Sequence, residues 1–201
     1  KDGMARLEGG VKAIRGNDIL TCQKALMKNS PQWLLATLTP RLYRKETVAE
    51  KQVVRETTLD ALNILWYDFS TGSGTASGSR LPSIWDEEMP EFEASSAVTL
   101  KMEERSWDLA TYSWLIIQSE SMRGFKKSNR MEFTGNVRIQ DADRFGQGKM
   151  LKYDKASGTL TLLGNARVEE EQWSEKEKKR VKRVLTGEKI THNLNTKITE
   201  S

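Results

Sequence analysis

Between residues 130 and 168 the apolar side chains fall on every second position, and the runs are broken by residues that turn or kink a chain. Phe133, Val137 and Ile139 alternate with polar neighbours, as do Leu151 and Tyr153, Leu160 and Leu162, then Ala166 and Val168. A period of two places one face of a strand in a core and the other in water, which no helix satisfies. The interruptions are Gln140-Asp141-Ala142-Asp143, Asp154-Lys155-Ala156-Ser157-Gly158 and Gly164-Asn165. Asp hydrogen-bonds its own backbone, and Gly and Asn tolerate positive φ, so short strands joined by tight turns are expected.

The pattern also repeats. Phe133-Thr134-Gly135-Asn136-Val137-Arg138-Ile139 is echoed by Leu163-Gly164-Asn165-Ala166-Arg167-Val168 and, near the start, by Leu7-Glu8-Gly9-Gly10-Val11-Lys12-Ala13. Leu185-Thr186-Gly187-Glu188-Lys189-Ile190 is a degenerate copy. A recurring Gly step, strand, turn and strand encode a stack of hairpins in which each unit buries its apolar face on its neighbours. In the N-terminal third, strands are expected over residues 11–14, 19–27, 33–38 and 51–67, and Pro31 and Pro40 bracket the third of these against a helix. Over residues 48–68, Leu59, Leu62 and Trp66 would also make a helical stripe, whereas the alternation at Val53, Arg55, Thr57 and Leu59 favours a strand.

Residues 70–97 differ. A Gly/Ser tract, TGSGTASGSR, runs into Asp86-Glu87-Glu88-Met89-Pro90-Glu91-Phe92-Glu93, and neither part buries enough apolar area to offset its ordering entropy. The reading is one domain over residues 1–201, with a mobile loop at 70–97, tethered by Trp85 and Phe92, between halves 1–69 and 98–201. The strand pattern resumes at 97–102 and 107–117.

Composition narrows the chemistry. With 37% hydrophobic residues in 201, the chain can build a core, and no window approaches the roughly 20 apolar residues of a membrane-spanning helix. A net charge of +4 suits an anionic partner without naming one. The single cysteine, Cys22, excludes an internal disulfide, and with one histidine, His192, the usual metal clusters and nucleophile–histidine pairs are missing. Residues 72–77 depart from the phosphate-binding glycine spacing, no nucleophile elbow surrounds Ser77 or Ser79, and Asp141 and Asp143 read as turn residues. No catalytic residue, metal or cofactor is therefore assigned. The Lys1-Asp2-Gly3-Met4 start has no apolar signal region and reads as a mature or trimmed chain.

Glu169-Glu170-Glu171 and the bases from Lys176 to Arg183 flank Trp173. As a hairpin they would set opposite charges across from each other; alternatively Lys178, Lys179, Arg180, Lys182 and Arg183, with Lys176, form a rim that receives phosphates. The six tryptophans are scattered rather than interleaved with bases, which argues against a nucleic-acid surface.

The motifs FTGNVRI, KMLKYD, GTLTL, GNARV and GEKI, in this order over residues 131–198 and faintly at 7–27, resemble the OstA-type domain of the periplasmic lipopolysaccharide-transport proteins, the LptA and LptC kind. The insertion at 70–97, the tryptophan-rich middle, and His192 where an aromatic is commoner depart from that pattern. The resemblance implies an all-β, half-open, V-shaped jellyroll of stacked antiparallel strands that shields the acyl chains of lipid A. It implies a non-enzymatic periplasmic carrier or bridge component, with terminal strands at 7–14 and 187–198 pairing with other such proteins or with a second copy. An inner-membrane tether outside this chain would fit the same picture. The inward, lipid-facing set is then Val11, Leu20, Leu100, Trp114, Ile116, Phe133, Val137, Ile139, Leu151, Tyr153, Leu160, Leu162, Ala166 and Val168. The residues alone leave open a structural β-solenoid that works through its edge strands and binds no lipid.

Overall fold

The computed structural model describes residues 3–29, 32–68, 92–125 and 128–201. Among them, thirteen antiparallel strands make one sheet. They are β1 (Met4–Arg15), β2 (Asp18–Asn29), β3 (Gln32–Thr37), β4 (Arg41–Val48), β5 (Val53–Asp60), β6 (Ile64–Asp68) and β7 (Phe92–Ser106), then β8 (Tyr112–Phe125), β9 (Arg130–Gln140), β10 (Arg144–Asp154), β11 (Thr159–Ser174), β12 (Lys179–Asn193) and β13 (Thr199–Glu200). A 3-10 turn at Ala49–Lys51 joins β4 to β5. The all-β class expected from the alternation is the one observed.

The topology is simpler than the strand count. β3 and β4 pair one after the other along β2, so they are a single strand broken at Leu38-Thr39-Pro40. β5 and β6 pair in the same way along β7 and are broken at 61–63. Joining these two pairs and setting aside the two-residue β13 leaves ten long strands in a plain meander from β1 to β12.

A row of kinks crosses this meander on alternate strands. Two successive residues have positive φ in β1 (Gly9 87°, Gly10 83°), between β3 and β4 (Leu38 61°, Thr39 56°), in β7 (Ser96 66°, Ala97 50°), in β9 (Gly135 82°, Asn136 46°) and in β11 (Gly164 75°, Asn165 52°). At each of these pairs the register slips by one residue against a neighbouring strand, except that β5 and β6, themselves broken at 61–63, keep one register along both β3–β4 and β7. A bulge inserts one residue, bends the strand and increases its twist. The slip has a consequence for burial. Inward residues keep their parity through a bulged strand, as with Phe133 and Val137 of β9, but change parity on β2, β8, β10 and β12, as from Gly146 to Leu151 and Tyr153 of β10; β5–β6 keeps its parity from Leu59 to Leu65.

The row divides the sheet into two half-sheets, one holding β3, β6 and β13 and the other holding β4 and β5, with each remaining long strand contributing to both. Three contacts show that the half-sheets face each other. Tyr67 of β6 reaches Asp18 of β2, Arg144 of β10 reaches His192 of β12, and the Thr199 hydroxyl of β13 donates to Glu170 of β11 at 3.0 Å. The inner faces make one core. Leu34, Leu65, Ala94, Met122 and Phe133 come from the first half-sheet and Leu59, Leu100, Ile117 and Val137 from the second. Burying a side chain of this size contributes about 1.5–3 kcal/mol, which is why a single sheet closes on itself.

Several expectations are corrected. β11 is long, because Gly164-Asn165 is a bulge inside it rather than a turn between strands, as Gly135-Asn136 is a bulge inside β9. Residues 92–97 belong to β7, so the expected loop at 70–97 is at least that much shorter; residues 70–91, with Trp85, lie outside the described residues. Residues 107–111 are a turn, in which the Trp107 amide donates to the Gln52 carbonyl and Asp108 accepts from the Ala110 amide. Trp114 and Ile116 do not point inward: Leu115 and Ile117 do, at 6% and 0% exposure. Four consecutive apolar residues fit either register, and a slip of one reverses every face. The β12 edge is also not fully open, since Thr191 and His192 pair with β13.

Candidate functional site

Where the tips of the two half-sheets meet, polar side chains form two clasps with a cavity between them. The first clasp centres on Asp18, at the start of β2. Arg44, directly opposite on β4, donates two hydrogen bonds to it at 2.5 and 2.7 Å, and the Tyr67 hydroxyl donates a third from the other half-sheet. Burial alone would raise the Asp18 pKa, but the Arg44 and Tyr67 hydrogen bonds and the Arg44 charge outweigh it and hold the carboxyl below its usual range.

The second clasp runs from β10 to β13. Arg144, itself paired with Asp141 at 2.9 Å, donates to His192 Nε2. His192 Nδ1 lies 3.0 Å from the Thr199 hydroxyl, which donates to Glu170, and Glu170 also accepts from Arg183 at 3.3 Å. A neutral ring protonated on Nδ1 satisfies these contacts, accepting from Arg144 at Nε2 and donating to Thr199, with the same Arg144 nitrogen 3.0 Å from Nδ1. Adding a proton at Nε2 would aim an N–H at the guanidinium. Burial and then the Arg144 charge accordingly push the His192 pKa down to about 4, against the opposing pull of Asp141.

Between the clasps lies a mouth of about 290 Å³. One lip carries Arg55, Glu104 and Trp114 and the other Tyr153, Lys155 and Asn195. Leu115, Asp141 and Arg144 also line a second cavity, of about 40 Å³, set deeper among Leu151, Leu160, Leu162 and Ile190. The polar mouth thus opens onto an apolar interior that is nearly filled.

Of the residues expected to face inward, Leu20, Leu100, Phe133, Val137, Leu151, Tyr153, Leu160, Leu162, Ala166 and Val168 are buried, while Val11 and Ile139 are half-buried against the same core. Ile139, Leu151, Leu160, Leu162 and Val168 converge on the deep cavity, joined by Leu115, Ile190 and Gly146, which the alternation had not singled out. A Cβ on Gly146 would collide with Ile139, so the glycine is needed for close approach there. Arg144 and His192 were not expected at this site, and only their rarity as inward polar residues on apolar-patterned strands could have marked them.

The C-terminal bases mostly face acids. Lys182 pairs with Glu169, Arg183 with Glu170, Arg180 with Asp143 and Glu171, and Lys179 with Glu177. Lys178 occupies the β11–β12 turn with φ 53°. The hairpin of opposed charges is therefore what the structure contains, and it does not gather these cations into an open phosphate rim. Among the described residues, no three His, Cys, Asp or Glu side chains come together to hold a metal ion. Cys22 is free and buried, with burial raising its pKa. No family model, curated protein or solved structure matches the chain.

Proposed function

We propose that the protein is a non-enzymatic carrier of acyl chains, taking the lipid A portion of lipopolysaccharide between its half-sheets as a periplasmic bridge component. The observation that carries this reading is one apolar face which, among the described residues, is continuous over the meander, enclosed by the folding of its own sheet and open to solvent through a mouth between two clasps. Each buried methylene is worth about 0.8 kcal/mol, so acyl chains are held by area without a dedicated anchor. The 40 Å³ beneath the mouth admits no acyl chain, so loading requires the half-sheets to part. Separation exposes the inner residues Leu151, Leu160 and Leu162, and lipid replaces the opposite sheet as their partner.

Native mass spectrometry of the folded protein with lipopolysaccharide and with phosphatidylglycerol tests this. Saturable binding with preference for lipopolysaccharide is expected. A folded protein that binds neither overturns the carrier reading.

One observation favours a second reading, a scaffold that works through its sheet edges. Among the described residues β1 pairs only with β2, and Met4, Leu7 and Ile14 on it are 55%, 37% and 64% exposed. A free edge offers backbone donors and acceptors to another strand. Under this reading, lipid-free protein self-associates, and a synthetic peptide of residues 4–15 blocks the association.

A further inference from the structure

The carrier reading leaves the mouth itself without a ligand. Three lysines reach its rim from three separate connections: Lys51 from the 3-10 turn before β5, Lys155 from the β10–β11 turn and Lys197 from the β12–β13 turn. The remaining charges on the rim neutralise one another or reach outward. Arg55 pairs with Glu104, Arg144 with Asp141, and Asp143 with Arg180. Among the described residues, neither Lys51 nor Lys197 meets a carboxylate; the Lys51 ammonium donates to Asn195 at 3.5 Å across the mouth. Ser113, Tyr112 and Asn195 add neutral hydrogen-bonding groups. The rim is therefore cationic, and it adjoins the apolar cavity across Leu115 and the Arg144–Asp141 pair, which line both.

A cationic rim above an apolar shaft has the polarity of an anionic amphiphile. We infer that the mouth is a head-group site that takes a phosphomonoester on an amphiphile whose chains point into the core. This rests on the carrier reading and assigns the phosphate to Lys51 and Lys197 rather than to the C-terminal hairpin, whose cations face acids. Ammonium–phosphate hydrogen bonds are charge-assisted, and in a partly enclosed mouth they are screened less than on an open surface. The volume of about 290 Å³ lies near the lower end of the range for ligand sites, so the mouth fits one phosphorylated sugar rather than an oligosaccharide.

The test compares three probes: lipid A bearing both phosphates, the same lipid A after enzymatic dephosphorylation, and inorganic phosphate. Trp114, which lines the mouth, reports binding by fluorescence, and native mass spectrometry gives the stoichiometry. The variant is Lys51→Glu combined with Lys197→Asn; both positions are exposed, and asparagine accepts the φ of 60° at 197. Wild-type protein is expected to bind phosphorylated lipid A about tenfold more tightly than the dephosphorylated form, with the variant losing that preference and binding dephosphorylated lipid unchanged. Inorganic phosphate is expected to compete only at far higher concentration. Equal binding of the two lipids, or a preference that survives in the variant, overturns the head-group site and leaves the carrier reading standing. Inorganic phosphate binding as tightly as lipid A overturns it in favour of a free-phosphate site. Binding of neither lipid by folded protein removes the carrier reading and this inference together.

Discussion

The two clasps tie the same pair of half-sheets with opposite chemistry. At the β2–β6 end a carboxylate is the hub, and against its burial the hydrogen bonds of Arg44 and Tyr67 hold it ionised below the usual carboxylate range. At the β10–β13 end a neutral imidazole is the hub, accepting from Arg144 on one side and donating towards Thr199 on the other. The first clasp is therefore indifferent to mild acid, whereas the second holds only while His192 remains unprotonated. If the half-sheets part to admit a ligand, they open from the β10–β13 end first.

The largest effect that bears on this contrast is expected from Asp18→Ala. It leaves a guanidinium and a phenol without their shared acceptor, and removing one partner of a largely buried pair costs about 3 kcal/mol. A shift of that size in the denaturation midpoint, with an unchanged m-value, checks it; a loss below 1 kcal/mol would show that this clasp carries little of the closure.

Acid discriminates between the ends. Because the folded-state pKa of His192 lies below its unfolded value of 6.5, its stabilising contribution is complete above pH 6.5 and is lost as pH falls towards about 4. The loss is at most on the order of 3 kcal/mol. The Asp18 contribution is also lost on acidification, but only below the ordinary carboxyl value of 3.8, so the two windows do not coincide. Denaturation curves of wild type and His192→Gln at pH 7, 5.5 and 4 should converge as the pH falls. Parallel curves would sink the assignment of this clasp to His192.

The smallest expected effect lies on the kink row. Ala97 holds φ at 50°, a conformation that costs an L-residue with a Cβ roughly 1 kcal/mol and glycine almost nothing. Ala97→Gly should stabilise the fold by about 0.5–1 kcal/mol in thermal or denaturant unfolding, with no preference for either clasp. Destabilisation would mean that the bulge at 96–97 is not held in this conformation in solution.

The same row shows what the sequence makes legible. At 9–10, 135–136 and 164–165 the kinks use Gly and Asn, the residues that adopt positive φ most readily, and so they surface as a repeat. At 38–39 and 96–97 the same geometry is imposed on Leu-Thr and Ser-Ala by pairing on both sides, and no local signal marks them. Even the visible copies are ambiguous, because a glycine step reads equally as a turn or as a bulge within a longer strand. Alternation identified most of the inner face and faltered at 114–117, where four apolar residues leave the register open. The clasps were beyond reach: Asp18 and Tyr67, like Arg144 and His192, are brought together only when the sheet folds across the row. The charged hairpin at 169–183, by contrast, is a local pairing, and charge sign alone was enough to find it.

Alternation of bulged and unbulged strands also sets how such a molecule can change size. Adjacent strands are about 4.8 Å apart, so one bulged strand with its plain partner forms a slice roughly 10 Å long that carries its own share of hinge. Adding or removing a whole slice preserves the alternation of kinks and the inward parity of every neighbour. A single added strand would put two kinked or two plain strands side by side and turn apolar residues to the outside. The interior therefore lengthens in steps of one hairpin, and a gene encoding it can be duplicated or trimmed in those units without redesigning the rest.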